Sequence, residues 1–374
     1  MQQEQLVLPR GVTIRGSNGE RYVVEDLLGK GEIGAVYLVR DRRQPGNLFA
    51  LKEIINPNKQ DRERFIFEAQ VLKRLRHSAL PHVYRIFENN KLRRVYILMD
   101  YIAGRNLEEL RKEQPNSRFS LPLVITLMSP VIKALTYLHM QDPPIIHRDI
   151  KPANVIIPVG ADEAMLVDFG SAKEYMPGGT ATVVSRRTPG YAAPEQYSGG
   201  TGPHTDIYGS GATLYTLLTG TLPVDALSRT ALYWNESHDP LKLASILEPS
   251  VPLPVAQALQ RAMSLRTADR FASVEEFWQE VTSHTIAQPV HIPRISSAGT
   301  LNGAHIKSLA PLNEQSPQDN ELMTAIPAGS RPGVSLPIRR SIIALILVIL
   351  LLALAFGAFR FFHIWMLTSL FRLT

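Results

Sequence analysis

The apolar period changes once along this chain, and that change limits the fold more than any other feature. Up to about residue 102 the hydrophobic residues mostly alternate. "RYVVEDLLGKG", "IGAVYLVRD", "NLFALKEII" and "RRVYILMDYI" each read as a β-strand, with turn signals such as "QPGN" between them. One stretch breaks the alternation: "DRERFIFEAQVLKRLRH" sets Phe65, Ala69, Leu72 and Leu75 at helical spacing. From Leu121 onward the period is mainly helical, as in "VITLMSPVIKALTYLH" and "IYGSGATLYTLLTG". A strand-rich front joined to a helix-rich back predicts an α+β fold in two lobes. A late helix is signalled by "SVEEFWQEV", where Ser273 and Glu276 fit a capping box, Glu276 reaching back to the amide of Ser273.

The patterned region runs from about residue 21 to 284 of a 374-residue chain, and two further regions follow. Between 285 and 340 prolines recur at Pro289, Pro293, Pro311, Pro317, Pro327, Pro332 and Pro337, polar runs such as "NEQSPQDNE" lie between them, and apolar periodicity is lost. Such a stretch buries too little to offset its chain entropy, so a disordered Pro/Ser-rich linker is expected. Then "IIALILVILLLALAFGAF" carries no charge; as a helix at ~1.5 Å per residue it spans about 27 Å, close to a bilayer's hydrocarbon thickness. A transmembrane helix over 341–360 is expected, with lipid as its partner and Trp365 and Phe361–Phe362 at the interface. Residues 361–374 would form a short extracytoplasmic tail. The start, "MQQEQLVLPRG", is too short and polar for a signal peptide, so the large domain is expected on the cytoplasmic side of the cell membrane, single-pass.

Cysteine is absent, which excludes disulfides, thiolate zinc sites and a catalytic cysteine. The net charge of +6 comes without a long basic block, so nucleic acid is not an expected partner.

Several short motifs carry chemistry. "IIHRDIKPANVII", residues 145–157, packs His, Arg, Asp, Lys and Asn between β-branched runs; a metal site, a basic patch and a catalytic loop all fit that pattern alone. In "LGKGEIGAV", Gly29, Gly31 and Gly34 could let backbone amides approach phosphate oxygens, or form a tight hairpin. A strand follows Gly34, which argues against a dinucleotide fingerprint, and no Gly-Lys-Ser/Thr closes a P-loop. In "FALKEI", Lys52 points the same way as Ala50 and Ile54, a costly placement unless paired. Glu68 is a candidate partner; spacing alone equally allows both to be solvated. In "LVDFGSA", Asp168 closes a short apolar strand, which suits a hard cation.

Taken in order, the glycine hairpin, the strand Lys52, the helix Glu68, H-R-D-x-K-x-x-N, D-F-G and A-P-E resemble the eukaryotic-type protein kinase family, specifically its bacterial serine/threonine branch, which commonly carries a transmembrane anchor. The resemblance implies a two-lobed protein kinase fold over residues 22–284, with a β-rich N-lobe and a mainly helical C-lobe. It implies ATP as phosphate donor, magnesium (manganese as the alternative) as metal, protein serine and threonine hydroxyls as substrate, autophosphorylation and a role in bacterial signal transduction. Leu28, Gly29, Lys30, Gly31, Glu32, Ile33, Gly34, Ala35 and Val36 would cover the nucleotide. Leu28, Val36, Ala50 and Ile156 would sandwich the adenine, and the backbone from Asp100 to Ile102 would bond its edge. Lys52 would hold the α- and β-phosphates and pair with Glu68. Asp149 would orient the substrate hydroxyl and accept its proton, Lys151 would contact the γ-phosphate, and Asn154 and Asp168 would hold the metal. Asp206 would brace the catalytic loop from a buried helix, Glu195 would pair with Arg270, and His147 would pack under Phe169.

One residue departs from the family pattern: Arg187 stands where glycine usually precedes Thr188, which puts the shape of the substrate-facing loop in doubt. Arg148 before Asp149 implies a switch in which phosphate on Thr180 and Thr182, but not Ser185, pairs with Arg148 and with Lys173 or Arg186. The rival reading is a membrane-tethered pseudokinase scaffold; the presence of Lys52, Asp149 and Asp168 argues against it. A homodimer is within the expected range of assemblies.

Overall fold

The computed structural model describes residues 7–284 except 32–33, 45, 161–162, 176–186 and 237. The expected linker, membrane helix and tail at 285–374 lie outside the described residues, as do Glu32, Ile33, Thr180, Thr182, Ser185 and Arg186.

Alternation builds the front half into one sheet. It contains β1 (Thr13–Arg15), β2 (Arg21–Lys30), β3 (Gly34–Asp41), β4 (Leu48–Ile55), β5 (Val83–Asn89) and β6 (Arg94–Asp100), in the order β1-β2-β3-β4-β6-β5, all antiparallel. A period of two sends Ala35, Tyr37, Val39, Leu51, Tyr96 and Leu98 to the outer face, where they form a core with Ile14, Tyr22, Val24, Phe49 and Phe87. Val7, Leu8 and Val12 cover that core. The Leu8 amide donates to the Tyr37 hydroxyl (3.0 Å), which donates to buried Glu53 (2.6 Å), itself paired with Arg94 (2.8 Å).

The inner face packs against α1 (Lys59–Arg74), between β4 and β5 in the chain. Asn58 caps this helix by accepting the Asp61 amide at 2.8 Å, and Lys73 and Arg74 complement its C-terminus. Phe65, Ala69 and Leu72 join Ile54, Val95 and Ile97 in the main core. At Gly34 a Cβ would lie 1.8 Å from the Glu53 carbonyl oxygen, so the close approach of β3 and β4 requires this glycine.

β1 and β5 are additions to the sequence expectation. β1 is too short to show a period. β5 carries a register shift between Val83 and Arg85, which interrupts the alternation that would have revealed it.

The back half contains β7 (Gly104–Asn106), α2 (Leu107–Lys112), α3 (Leu121–His139), β8 (Ile145–Ile146), β9 (Val155–Pro158), β10 (Met165–Leu166), β11 (Lys173–Glu174), α4 (Glu195–Ser198), α5 (Pro203–Thr219), α6 (Ala226–Glu236), α7 (Ala244–Leu247), α8 (Leu253–Ala262) and α9 (Val274–Ser283). Among the described residues, only α3 is long and apolar enough to cross a membrane, and half of it is buried, with Val124, Met128, Val131, Leu135 and Leu138 in the main core. α5 is buried from Thr205 to Thr219 and forms the spine of this half. At α9 the Ser273 hydroxyl accepts the Glu276 amide (3.0 Å) as expected. The Glu276 carboxylate, however, accepts the amide of Ala272 (2.8 Å), one residue further back than the expected capping box.

Candidate active site

The segment 147–154 leaves β8 and returns into β9, so two short buried strands hold both its ends. One face of α5 shapes what lies between. The fully buried Asp206 carboxylate accepts the amides of His147 (2.8 Å) and Arg148 (2.7 Å) and the Nε2 of His139 (2.9 Å). Arg148 sits at φ +65°, a left-handed conformation that costs a non-glycine residue about 1–3 kcal/mol, and these bonds hold it there. The Thr213 hydroxyl, two turns on, shares its one proton between the carbonyls of Gly209 (2.8 Å) and Ile150 (3.2 Å). At Gly209 a Cβ would come 3.2 Å from Ile150 Cβ. Burial tends to raise the Asp206 carboxyl, but the hydrogen bond and charge of His139 with the Arg148 amide hold it below the usual range. His147 is buried with its ring edge-on to Phe169 (centroids 4.7 Å apart), and burial lowers its pKa.

Held this way, the loop aims its polar groups at one point. Asp149 Oδ2 accepts Lys151 Nζ (2.7 Å) and Asn154 Nδ2 (3.0 Å), and Oδ1 accepts the Thr188 hydroxyl (3.0 Å). Lys151 also donates to Thr188 Oγ1 at 2.9 Å. A carboxylate, an ammonium and a hydroxyl thus share one cluster.

Lys52 links the two lobes. It lies directly opposite Val36 in the β3–β4 register, on the inner face. Its ammonium contacts Glu68 on α1 (2.6 Å) and Asp168 (3.1 Å), which settles the open choice between pairing and solvation in favour of pairing. Burial alone would lower the Lys52 pKa, but the two carboxylates outweigh it and raise it. Lys52 in turn holds the Asp168 carboxyl well below the usual range. Asp168 is half-exposed at φ +65°. The Val167 amide donates to the Asn154 carbonyl (2.9 Å), so Asp168 and Asn154 are neighbours. Asn154 spends its amide N–H on Asp149, leaving its amide oxygen as a donor atom for a metal. An ionised, accessible carboxylate beside an amide oxygen fits a hard cation such as magnesium.

The remaining expected residues fall as follows. Val36, Ile102 and Ile156 are half-buried, Ala50 is buried and Leu28 is 44% exposed. Gly29 and Lys30 form the exposed end of β2, opposite Val36 and Ala35, and Gly31 follows at once. The Ala35 methyl belongs to the outer core, so only its backbone faces inward. The Asp100 carboxylate accepts the His82 amide (2.8 Å) and the Tyr84 hydroxyl (2.7 Å), and its amide donates to the His82 carbonyl (3.0 Å), which anchors the end of β6. Glu195 and Arg270 form a bidentate pair at 2.7 and 2.9 Å.

Of the residues around the site, Arg64 has no place in the sequence motifs, and the bonds of Thr188 to Asp149 and Lys151 join segments with no local signal. Arg148 donates Nε–H to the Ser171 carbonyl (2.5 Å), and burial pulls its pKa down to about 10, with Arg64 of α1 adding to the shift against Asp206. Lys173 is lowered by burial and by Arg148. Arg64 precedes Glu68 by one helical turn, which was the available signal.

Comparisons with known proteins agree with this geometry. The family model described as a protein kinase domain matches residues 22–284. Serine/threonine-protein kinase D of Synechocystis sp. is 30% identical over 283 residues, covering 71% of this chain and 52% of that protein. Serine/threonine-protein kinase PknJ of Mycobacterium tuberculosis is 33% identical over 273 residues, covering 70% and 45%. The chain thus spans about half the length of the curated relatives it matches. Among solved structures, the kinase domain of Mycobacterium tuberculosis PknI superimposes with a TM-score of 0.58 at 27% identity, covering 75% of this chain and 100% of that one.

Proposed function

The chain belongs to the protein kinase family, and on that premise we propose that it transfers the γ-phosphate of ATP to serine and threonine hydroxyls of proteins. The observation that carries this reading is the Asp149 cluster: a carboxylate within hydrogen-bond reach of a hydroxyl (Thr188, 3.0 Å), with an ammonium on both. Phosphoryl transfer asks the protein for positioning and charge stabilisation rather than for covalent chemistry. Asp149 would orient the acceptor hydroxyl and take its proton. Lys151, fixed by Asp149, would face the transferred phosphate. Lys52, clamped by Glu68, would hold the inner phosphates. The residues of the β2–β3 turn would cover them, and Val36, Ala50, Leu28 and Ile156 would offer the base an apolar slot. Asp168 and Asn154 would hold magnesium, which when bound neutralises phosphate charge. The test is phosphate incorporation into a generic protein substrate by the full chain with ATP and magnesium, against Asp149→Asn. A loss of at least about 100-fold is expected; equal incorporation refutes the assignment.

Two finer proposals accompany it. Phosphate on Thr180 and Thr182 would pair with Arg148 and Lys173, where several cations already crowd together. Mass spectrometry after the same reaction tests this, and an active enzyme bearing phosphate on neither threonine rejects it. The uncharged run 342–359 supports a single-pass membrane tether with the kinase domain on the cytoplasmic side, serving signal transduction. Membrane fractionation of cells that leaves the chain soluble excludes the tether.

A further inference from the structure

Arg187 stands where the resemblance expects glycine. Its half-buried side chain lays the guanidinium on the Tyr197 ring, 4.7 Å from the centroid. Both residues are firmly placed. Thr188, next to Arg187, bonds Asp149 and Lys151, and its carbonyl accepts the amides of Tyr191 (3.1 Å) and Ala192 (3.0 Å). Gln196, next to Tyr197, donates to the Arg148 carbonyl (2.9 Å) and accepts the Ala193 amide (2.9 Å). Between them Gly190 turns at φ +83°, where a Cβ would strike Leu222 Cγ at 2.7 Å. The segment is therefore tied to the catalytic loop at both ends.

Among the described residues no carboxylate comes within ion-pairing distance of Arg187. Asp225 acts on Tyr197 electrostatically, but its carboxylate accepts the amides of Leu227 and Ser228 (both 3.1 Å) at the start of α6. A guanidinium resting on an aromatic face keeps its N–H edge free for a planar anion, and arginine matches a carboxylate with two parallel bonds.

We propose that Arg187, seated on Tyr197, is a specificity-determining residue that favours an acceptor peptide carrying a carboxylate side chain within about two residues of the phosphorylated hydroxyl, a span of about 7 Å of extended chain. The inference rests on the kinase reading and deepens it. The acceptor hydroxyl must reach Asp149 beside Thr188, so peptide residues next to it pass within reach of the Arg187 side chain.

The experiment uses the full chain with ATP, magnesium and matched peptides bearing Glu, Gln or Lys at the positions flanking one serine or threonine. The Glu-to-Gln ratio of kcat/KM is the readout, since an inactive fraction of any variant cancels from it. About a tenfold preference for Glu is expected, shrinking with added salt. Arg187→Gln should bring the ratio to near one, and Arg187→Glu should turn the preference toward Lys. A wild-type ratio near one, or a ratio unchanged in Arg187→Glu, overturns the proposal while leaving phosphoryl transfer intact. If no peptide accepts phosphate, the kinase reading fails by itself, and fluorescence anisotropy with the same labelled peptides decides the present point. Tighter binding of the Glu peptide, abolished in Arg187→Glu, upholds it, and equal Kd values for Glu and Gln overturn it.

Discussion

Replacing Asp206 by asparagine removes one charge and almost no volume, so its cost can be worked from the hydrogen bonds. The carboxylate accepts the amides of His147 and Arg148 at 2.8 and 2.7 Å inside a fully buried site. Each such bond to a charged group is worth about 1.5–3 kcal/mol. Asparagine offers one oxygen; placed at the Oδ2 position it keeps the His147 amide and His139 Nε2 as neutral bonds and turns its N–H2 group toward the Arg148 amide, so that bond goes. A stability loss of about 3 kcal/mol is expected, a large part of the 5–15 kcal/mol typical of a domain but not all of it. The same bonds restrain Arg148 at φ +65°, so their loss lets the loop relax toward an ordinary conformation. A displacement of Asp149 by about 1 Å would lower kcat roughly 100-fold. KM for ATP should change little, because Lys52 and Asp168 are held by each other and by Glu68. Denaturant unfolding and steady-state kinetics on the same protein supply both numbers. Thr213→Val, which deletes from the same helix face the hydroxyl shared by the Gly209 and Ile150 carbonyls, is the comparison, with about 1 kcal/mol expected and a far smaller kcat change. If Asp206→Asn loses the stability and keeps kcat within threefold, Asp206 supports the fold and not the geometry of Asp149. If stability is unchanged, the hydrogen-bond reasoning is wrong.

Two further outcomes follow from buried groups. Arg270→Met strands Glu195, whose carboxylate is left with the Thr205 hydroxyl (2.9 Å), and should cost about 3–5 kcal/mol in denaturant unfolding, much of it regained in Arg270→Met/Glu195→Leu; no regain would exclude the stranded charge as the cause. Burial lowers the pKa of His147 in the folded state, so as pH falls below the ordinary histidine value of about 6.5 the unfolded chain takes up the proton first. Its contribution to stability is therefore full above that pH and declines below it. Unfolding measured between about pH 5 and 7 should show stability rising with pH, with a shallower slope in His147→Gln; His77, His82 and His204, shifted the same way by burial, keep part of it.

Local pattern carried the framework. The polar loop between two β-branched runs, the buried strand lysine and the amphipathic α1 all follow from periodicity, and the ordered motifs of one family tie them to a site. Pairing across the site did not follow. Lys52 and Glu68 could as well have been solvated by spacing alone, and only the fold brings Asp168 within 3.1 Å of the same ammonium. The Thr188–Asp149 bond and the Arg187–Tyr197 stack depend on how the segment after the polar loop folds back, for which no periodicity speaks. β5 was hidden by its own register shift, and β1 by its three-residue length.

That short first strand bears on where the folding unit starts. The family match begins at residue 22, yet β1 pairs with β2 from Thr13 to Arg15, and Val7, Leu8 and Val12 lie over Tyr22 and Tyr37 on the outer face. A protein trimmed to the match would turn the ten-residue β2 into an open edge and bare an aromatic surface at its side. Short edge strands are a device against edge-to-edge aggregation, and a long one with apolar flanks invites it. The stretch before residue 22 is thus expected to guard that edge, and trimming it should promote self-association through β2, read by size-exclusion chromatography.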